Sequence, residues 1–354
     1  MRGLAEPYVK GDSVRPITGS GIRRIKMLRE ALLLLMLVGS MMTTPISLLT
    51  QEVFKRGEEV FFKKASGEII QLTNDGKKKY EILLSPGAQW VIYRGEPLRD
   101  RAMLGLDITV IDVQDPASKK DVHLDLALQS LISMEWLNEH YFALVGETNS
   151  KNDSYAILDP KMGGVIAELV GCGFHLSPDR LALAYRSFIP RGAPTEFNSH
   201  YIELFDLRDR EPAPRHEGRR YAQVLYPDHD PDKPFDNLDE RHFVRSNLAW
   251  SPDSRSIAFV ENHQRTLSVL VLDLRQGAGG IKVSNVRKFE LTKEGERRLL
   301  WEERIVWEGT NVLVVTGDKY LWDEVNQMTR KGPKVEWRIN LTNGSVPMVE
   351  VGQP

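Results

Sequence analysis

The chain has 354 residues, 41% hydrophobic and 27% charged, the balance of a globular protein with enough apolar material for a sizeable core. Its 47 basic and 49 acidic residues give a net charge of -2, so no global field draws it to nucleic acid or to an anionic membrane surface. The single cysteine, Cys172, excludes an internal disulfide framework and a cysteine-rich metal site; set in "LVGCGFHLSP" with no basic neighbour in sequence, it reads as a small buried residue rather than a nucleophile.

Residues 1–26 read as a disordered leader. Arg23, Arg24, Lys26 and Arg29 then precede an apolar run at 31–38 that continues more weakly to Leu49, so 27–50 has the form of a signal peptide or a signal anchor. Charges ahead of the run predict a cytoplasmic N-terminus and an exported remainder, periplasmic or otherwise extracytoplasmic. Val38 and Ser40 form a weak cleavage site, and about 20 mostly apolar residues suffice to span a bilayer as a hydrophobic helix, so cleavage and anchoring to the inner membrane both stay open. No cysteine follows the run, which excludes a lipoprotein anchor, and membrane contact is expected through this helix alone.

Downstream, "EEVFFKKASGEIIQLTNDGKKKY" at 58–80 predicts a hairpin around Ser66-Gly67. Five units follow that share one design. "EILLSPGAQWVIYR", "SMEWLNEHYFALVGE", "GFHLSPDRLALAYR", "LAWSPDSRSIAFVE" and "RIVWEGTNVLVVTGD" each contain an apolar strand ending at Leu84, Trp136, Leu176, Trp250 or Trp307, a short polar turn and a second apolar strand. Each is followed by a β-rich alternation closed by Asp or Asn, at Asp112, Asp159, Asp206, Asp273 and Asn340, and then by a weaker fourth strand such as 223–226. A four-stranded antiparallel unit with two apolar faces cannot bury both alone, so such units must stack on one another, and radial stacking leaves only short edges. The expected fold is therefore all-β: a β-propeller over 58–351, six-bladed with one reduced blade, or five-bladed with an extra ribbon. The Ser-Pro-Asp turn fits as a structural device, since proline presets one dihedral while serine and aspartate bond local backbone, so Ser85, Ser177 and Ser251 are not read as nucleophiles.

These units resemble the TolB-type, WD40-like (PD40) β-propeller repeat, in which "W-S-P-D-G-x-x-I-A-F" joins the first two strands and an "L-T" strand closes the unit. "LAWSPDSRSIAFVE" follows that pattern with Ser254 in place of the glycine, "GFHLSPDRLALAYR" keeps Ser-Pro-Asp, and "GEIIQLTNDG" and "KFELTKEG" match the Leu-Thr element. The resemblance covers about 58–351 and implies a fold rather than an activity. It is not to TolB as a whole, which looks like an α/β domain followed by a propeller. No Gly-x-Ser-x-Gly elbow follows the units, so the peptidase arrangement is not expected either.

The most irregular stretch is a charged insertion at 206–247. Asp228, Asp230 and Asp232 stand at alternate positions, as carboxylates do in a calcium loop, although Lys233 occupies the place of the turn glycine and Pro231 and Pro234 stiffen the chain. Beyond this Ca2+ candidate no cofactor is expected. Arg215, His216, Arg219, Arg220, His229, Arg241 and His242 make the insertion the first candidate for binding an envelope protein or an anionic glycan. No catalytic residue is assigned. Trp136, Trp250 and Trp307 occupy equivalent unit positions, which points to packing between blades. "KYLWDEVNQMTRKG" at 319–332 has the pattern of a short amphipathic helix. The expected function is that of an exported binding or scaffold module; the alternative is a lyase-like propeller enzyme acting on an acidic sugar through a histidine or metal site in the channel.

Overall fold

The computed structural model describes residues 51–95, 106–124, 130–149, 152–189, 199–208, 222–228, 240–264, 266–277, 280–291, 304–323 and 328–351. The leader and the apolar N-terminal run lie outside them. One compact unit takes in Gln51–Lys64 and Glu68–Pro354, and the other comprises Met1–Thr50 with Ala65–Gly67, of which only the short turn at Ala65–Gly67 is described. Among the described residues no helix is long and apolar enough to cross a membrane.

The larger unit is an all-β propeller built from successive antiparallel sheets. Blade 1 has three strands, β1 (Glu52–Arg56), β2 (Glu59–Lys63) and β3 (Ile69–Gln71). The sequence predicts only the last two of these, because "EVFKR" lacks a polar-apolar alternation and directly follows the apolar run. Blade 2 is β4 (Tyr80–Leu84), β5 (Trp90–Arg94), β6 (Leu106–Asp112) and β7 (Lys120–Leu124). Blade 3 is β8 (Ser130–Trp136), β9 (Phe142–Asn149), β10 (Asn152–Asp159) and the first part of β11 (Gly164–Leu176).

Blade 4 takes the second part of β11 with β12 (Ala182–Ile189), β13 (Ser199–Asp206) and β14 (Gln223–Tyr226). Blade 5 is β15 (Phe243–Val244) and β16 (Ala249–Trp250), both on β17 (Ser256–His263), then β18 (Thr266–Gly277) and β19 (Gly280–Glu290). Blade 6 is β20 (Arg304–Glu308), β21 (Val312–Asp323), β22 (Met328–Asn340) and β23 (Met348–Val351). The helix expected at 319–332 is not formed: β21 and β22 continue their ladder past a register shift, from Asp318↔Lys334 to Asp323↔Met328. Its β-favouring Tyr, Trp and Thr residues extend a hairpin instead.

Blades 2 to 5 hold their neighbours because their central strands are apolar on both faces. In β5, Val91 and Tyr93 pack toward Val60, Phe62 and Leu72 of blade 1, while Trp90 and Ile92 pack toward Phe142 and Leu144 of blade 3. The same alternation hands a core from blade 3 to 4, 4 to 5 and 5 to 6. Blades 3 and 4 are also joined covalently through β11, which pairs β10 as far as Gly171 and β12 from Cys172 onward. Only glycine fits at that crossing, because a Cβ on Gly171 would lie 2.2 Å from the Arg186 carbonyl oxygen and 2.7 Å from the Tyr185 ring.

The indoles at the end of the inner strands add a directional link. Trp250 Nε1 donates to the His175 carbonyl at 2.9 Å and Trp307 Nε1 to the Ala249 carbonyl at 3.0 Å, each reaching the preceding blade one residue before the equivalent position. Trp136 Nε1 is buried without a hydrogen-bond partner. Loss of a net hydrogen bond costs about 1 kcal/mol, whereas removing an unsatisfied donor does not. Trp250→Phe and Trp307→Phe should each lower the unfolding free energy by about 1 kcal/mol more than Trp136→Phe does, measured from urea midpoints at constant slope.

Candidate functional site

At one end of the blades the Ser-Pro turns are locked by their own serines. Ser177 Oγ accepts the amide N–H groups of Leu181 (3.1 Å) and Ala182 (3.0 Å) and donates to Asp179 Oδ1 at 2.6 Å. Ser251 Oγ does the same with Arg255, Ser256 and Asp253, and Ser85 Oγ accepts from Gln89 and Trp90. All three serines are buried. Hydroxyls used in this way are turn-makers, and the hydrogen bond from Ser251 holds the Asp253 carboxyl below the usual carboxylate range.

The fourth turn residue adopts a left-handed conformation that ordinarily favours glycine: Ala88, Arg180 and Ser254 have φ of 54°, 60° and 60°. Arg180 offsets that strain by reaching back to blade 3, where Nε donates to the Leu137 carbonyl at 2.7 Å and Nη2 to the Trp136 carbonyl. Ser254 Oγ accepts the Asp179 N–H at 3.0 Å and so ties the turns of blades 4 and 5. Arg180→Ala removes the bonds and keeps the strain, whereas Arg180→Gly removes both. The glycine variant should therefore be the more stable of the two by about 1 kcal/mol, the reverse of the order found inside strands, as read by chemical denaturation.

Two clefts open beside these turns. The larger, about 640 Å³, lies between blades 4 and 5, with Leu181, Trp250, Leu274 and Ile281 as its apolar floor. The smaller, about 280 Å³, lies between blades 3 and 4. They share Asp179, Leu181 and Arg208, and so form one groove. Arg208 is neutralised by Asp206, with Nε 2.7 Å from Oδ1, whereas Arg255 and Arg275 stand exposed at the rim of the larger cleft.

The opposite end of blades 4 and 5 holds a polar crevice. The register Phe243↔Asn262 and Val244↔Glu261 sets His242 beside His263, and their rings stack at 4.1 Å with planes 1° apart. His242 Nδ1 lies 2.6 Å from Glu261 Oε1, and the Tyr226 hydroxyl donates to Glu261 Oε2 at 3.1 Å. Burial first, then the adjacent Glu261, pushes the Tyr226 phenol above its ordinary value, so it remains a donor. His200 Nδ1 accepts the Val244 N–H at 2.9 Å, which fixes its other nitrogen as the protonated one in the neutral ring. Burial, with Arg186 and Arg245 nearby, lowers the His200 pKa to about 3. The Cys172 thiol is pushed up by burial, which outweighs the pull of Arg186, and this agrees with a non-nucleophilic role.

The predicted insertion at 206–247 is not one loop. β14 lies inside it, pairing Gln223 with Leu204 and Tyr226 with Ile202. Arg208, just past β13, and Ala222, just before β14, lie at the turn end of the blade, and Asp228, beyond β14, lies at the opposite end. Arg215, His216, Arg219, Arg220, His229, Asp230 and Asp232 lie outside the described residues. Asp228 is exposed, Arg241 is half-buried with its carbonyl 3.2 Å from His263 Nδ1, and His242 belongs to the crevice. Among the described residues no group of three or more His, Cys, Asp or Glu side chains is placed to hold a metal. The sequence reading missed Tyr226, Glu261, His263, His200 and Arg186. The one signal it carried for them was the Tyr-Arg pair that ends both "WVIYR" and "LALAYR".

No family model matches this sequence, and no curated protein is similar to it. The structure is similar to that of the tricorn protease at 10% identity and a TM-score of 0.35, over 85% of this chain and 32% of that one, so this chain spans about a third of that protein. It is similar to the β-propeller domain of the Trilobed protease from Pyrococcus furiosus at 11% identity and a TM-score of 0.30, over 84% and 88%. It is also similar to TolB from Acinetobacter baumannii at 13% identity and a TM-score of 0.31, over 85% and 68%. The propeller fold itself is carried by the strand order, the shared β11 and the interleaved cores.

Proposed function

We propose that this propeller is a recognition module of the cell envelope that binds a protein segment or a glycan in the groove at its turn end. The groove is the observation that carries this reading: it combines an apolar floor with exposed guanidinium groups, in the volume range of about 300–1,000 Å³ typical of ligand sites. Arg215, His216, Arg219 and Arg220 follow Arg208 of the groove in sequence and are proposed as further basic contacts for the same ligand. Asp228, Asp230 and Asp232, with His229, Arg241 and His242, are proposed as a second binding group, with Ca2+ as the ion that the alternate aspartates would suit. The basic residues ahead of the apolar run at 31–49 support export, with the run as signal or anchor.

The test is capture from envelope extracts by the wild type, by Arg255→Glu combined with Arg275→Glu, and by a variant in which a short Gly-Ser linker replaces 210–220 and spares β14. Both variants should recover the wild-type partner at least about tenfold less well, the effect of roughly 1.4 kcal/mol in binding. Equal recovery by all three contradicts the groove reading, and a chain found only in the cytosolic fraction contradicts export.

A second reading, a lyase-like enzyme on an acidic sugar, is favoured by the pairing of His242 with Glu261 and Tyr226, because a carboxylate that orients an imidazole is the usual support of a general base. Incubation with oligogalacturonides should then generate unsaturated product by ultraviolet absorbance, lost about a hundredfold in His242→Gln. Product formation that survives this substitution removes the residue from the reaction.

A further inference from the structure

The propeller's internal repetition allows one blade to be read against another, independently of the groove at the turn end. In blade 2, Tyr80 pairs with Arg94, the register shifts between Tyr80 and Leu83, and Glu81 bulges at φ 46°. In blade 4, Cys172 pairs with Arg186, the register shifts between Cys172 and His175, and Gly173 bulges at φ 61°. Each arginine stands nine residues beyond its turn serine, Ser85 to Arg94 and Ser177 to Arg186. Arg94 and Arg186 are therefore equivalent, and so are Glu81 and Gly173.

The two positions differ in charge balance. Arg94 is fully buried, and its Nε lies 3.0 Å from Glu81 Oε2, an ion pair in which the N–H does not point along the contact. In blade 4 the bulge residue has no side chain. Arg186 Nη1 donates to the Val244 carbonyl at 3.2 Å, while Nε is buried with no hydrogen-bond partner among the described residues. Among the described residues no carboxylate forms an ion pair with Arg186. In blade 5 the arginine position is Val260, and the bulge residue Asn247 bonds the backbone of Ile305 in blade 6 instead. The arginine thus occurs once with a carboxylate facing it and once with a glycine there.

The surroundings of Arg186 make it the charge that shapes this part of the crevice. His175 is held neutral by burial and then by Arg186 itself, as His200 is by burial first. A guanidinium partly withdrawn from water with no anion beside it is costly, and an incoming carboxylate relieves that cost by charge-assisted hydrogen bonding.

We propose that Arg186 is the receptor for a carboxylate supplied from outside the chain, seated over Gly173 where blade 2 seats its own Glu81. The Arg186 Nε and Nη2 atoms lie 3.3 Å from where a Cβ on Gly173 would stand, so a small shift of this flexible side chain admits the group. The carboxylate belongs to a partner's Asp or Glu side chain or to a small acid such as a uronic sugar.

The test follows thermal unfolding of the full chain at pH 7 in sodium acetate and in sodium galacturonate, against sodium chloride at equal ionic strength. Ligand that binds only the folded state raises the midpoint. The wild type should show a carboxylate-specific rise. Arg186→Met should abolish it. Gly173→Glu, which supplies the carboxylate internally at a left-handed position that Glu81 also occupies in blade 2, should respond no further to added carboxylate, whatever midpoint the backbone strain sets. A rise in galacturonate beyond that in acetate identifies a sugar acid, and equal rises identify a carboxylate such as a protein side chain presents. No specific rise in the wild type, or a full rise in Arg186→Met, overturns the proposal. So does a folded Gly173→Glu protein that still responds like the wild type.

Discussion

Blades 2 to 5 each depend on a sheet that is apolar on both faces. Such a sheet is insoluble alone, since whichever side is covered leaves the other in water, and burying a large aliphatic side chain is worth about 1.5–3 kcal/mol. Ile92 in β5 and Val91 beside it cannot both be satisfied by one neighbour, so blade 2 requires blade 1 and blade 3 together. Cooperation between neighbours follows from this two-sidedness, and so does the tolerance for irregular segments: whatever joins the strand ends can vary while adjacent blades keep their shared cores.

Stacking by hydrophobicity alone would leave the blades free to slide, and the polar groups at their junctions fix the register. The indoles of Trp250 and Trp307 each choose one carbonyl on the preceding blade. Asn247 behaves like a piece of backbone, accepting the Ile305 N–H at 3.0 Å and donating to its carbonyl at 3.1 Å. Arg180 joins blade 4 to blade 3 from a strained turn position, and Asn138 returns the link by donating to the Leu207 carbonyl at 2.9 Å. These bonds are directional where the apolar contacts are not, which is why they sit at the ends of the inner strands, where a sliding error would be largest.

The elements that repeat were legible in the sequence because the same physics acts on each copy. The Ser-Pro turn, the closing Asp and the weak fourth strand at Gln223–Tyr226 all stand where the pattern puts them. What was not legible depends on context that no window of sequence contains. β1 is masked by the apolar run before it, and the hairpin of β21 and β22 carries a helical spacing that loses to a continuous ladder. The crevice was hidden for another reason: His200, His242 and His263 are separated by about 20 to 40 residues, and antiparallel pairing of β15 with β17, together with the His200 N–H bond to the His242 carbonyl, brings them to one place. The insertion looked like one loop in sequence, yet β14 lies inside it as the outer strand of blade 4.

The two ends of the blades differ. At the turn end the backbone is held by buried serine hydroxyls with their bonding capacity used, so the side chains that vary there, Arg208, Arg255 and Arg275 among them, vary on a fixed frame. At the other end the inner strands carry bulges, and a bulge releases one residue from the ladder without loosening its neighbours. The released residue is Glu81 in blade 2 and Gly173 in blade 4, and Asn247, between β15 and β16, is the aligned residue of blade 5, three different chemistries at equivalent sequence positions. The ladder around this position stays paired whichever residue occupies it, so the bulge is a place where one blade can differ from the next without disturbing their shared core.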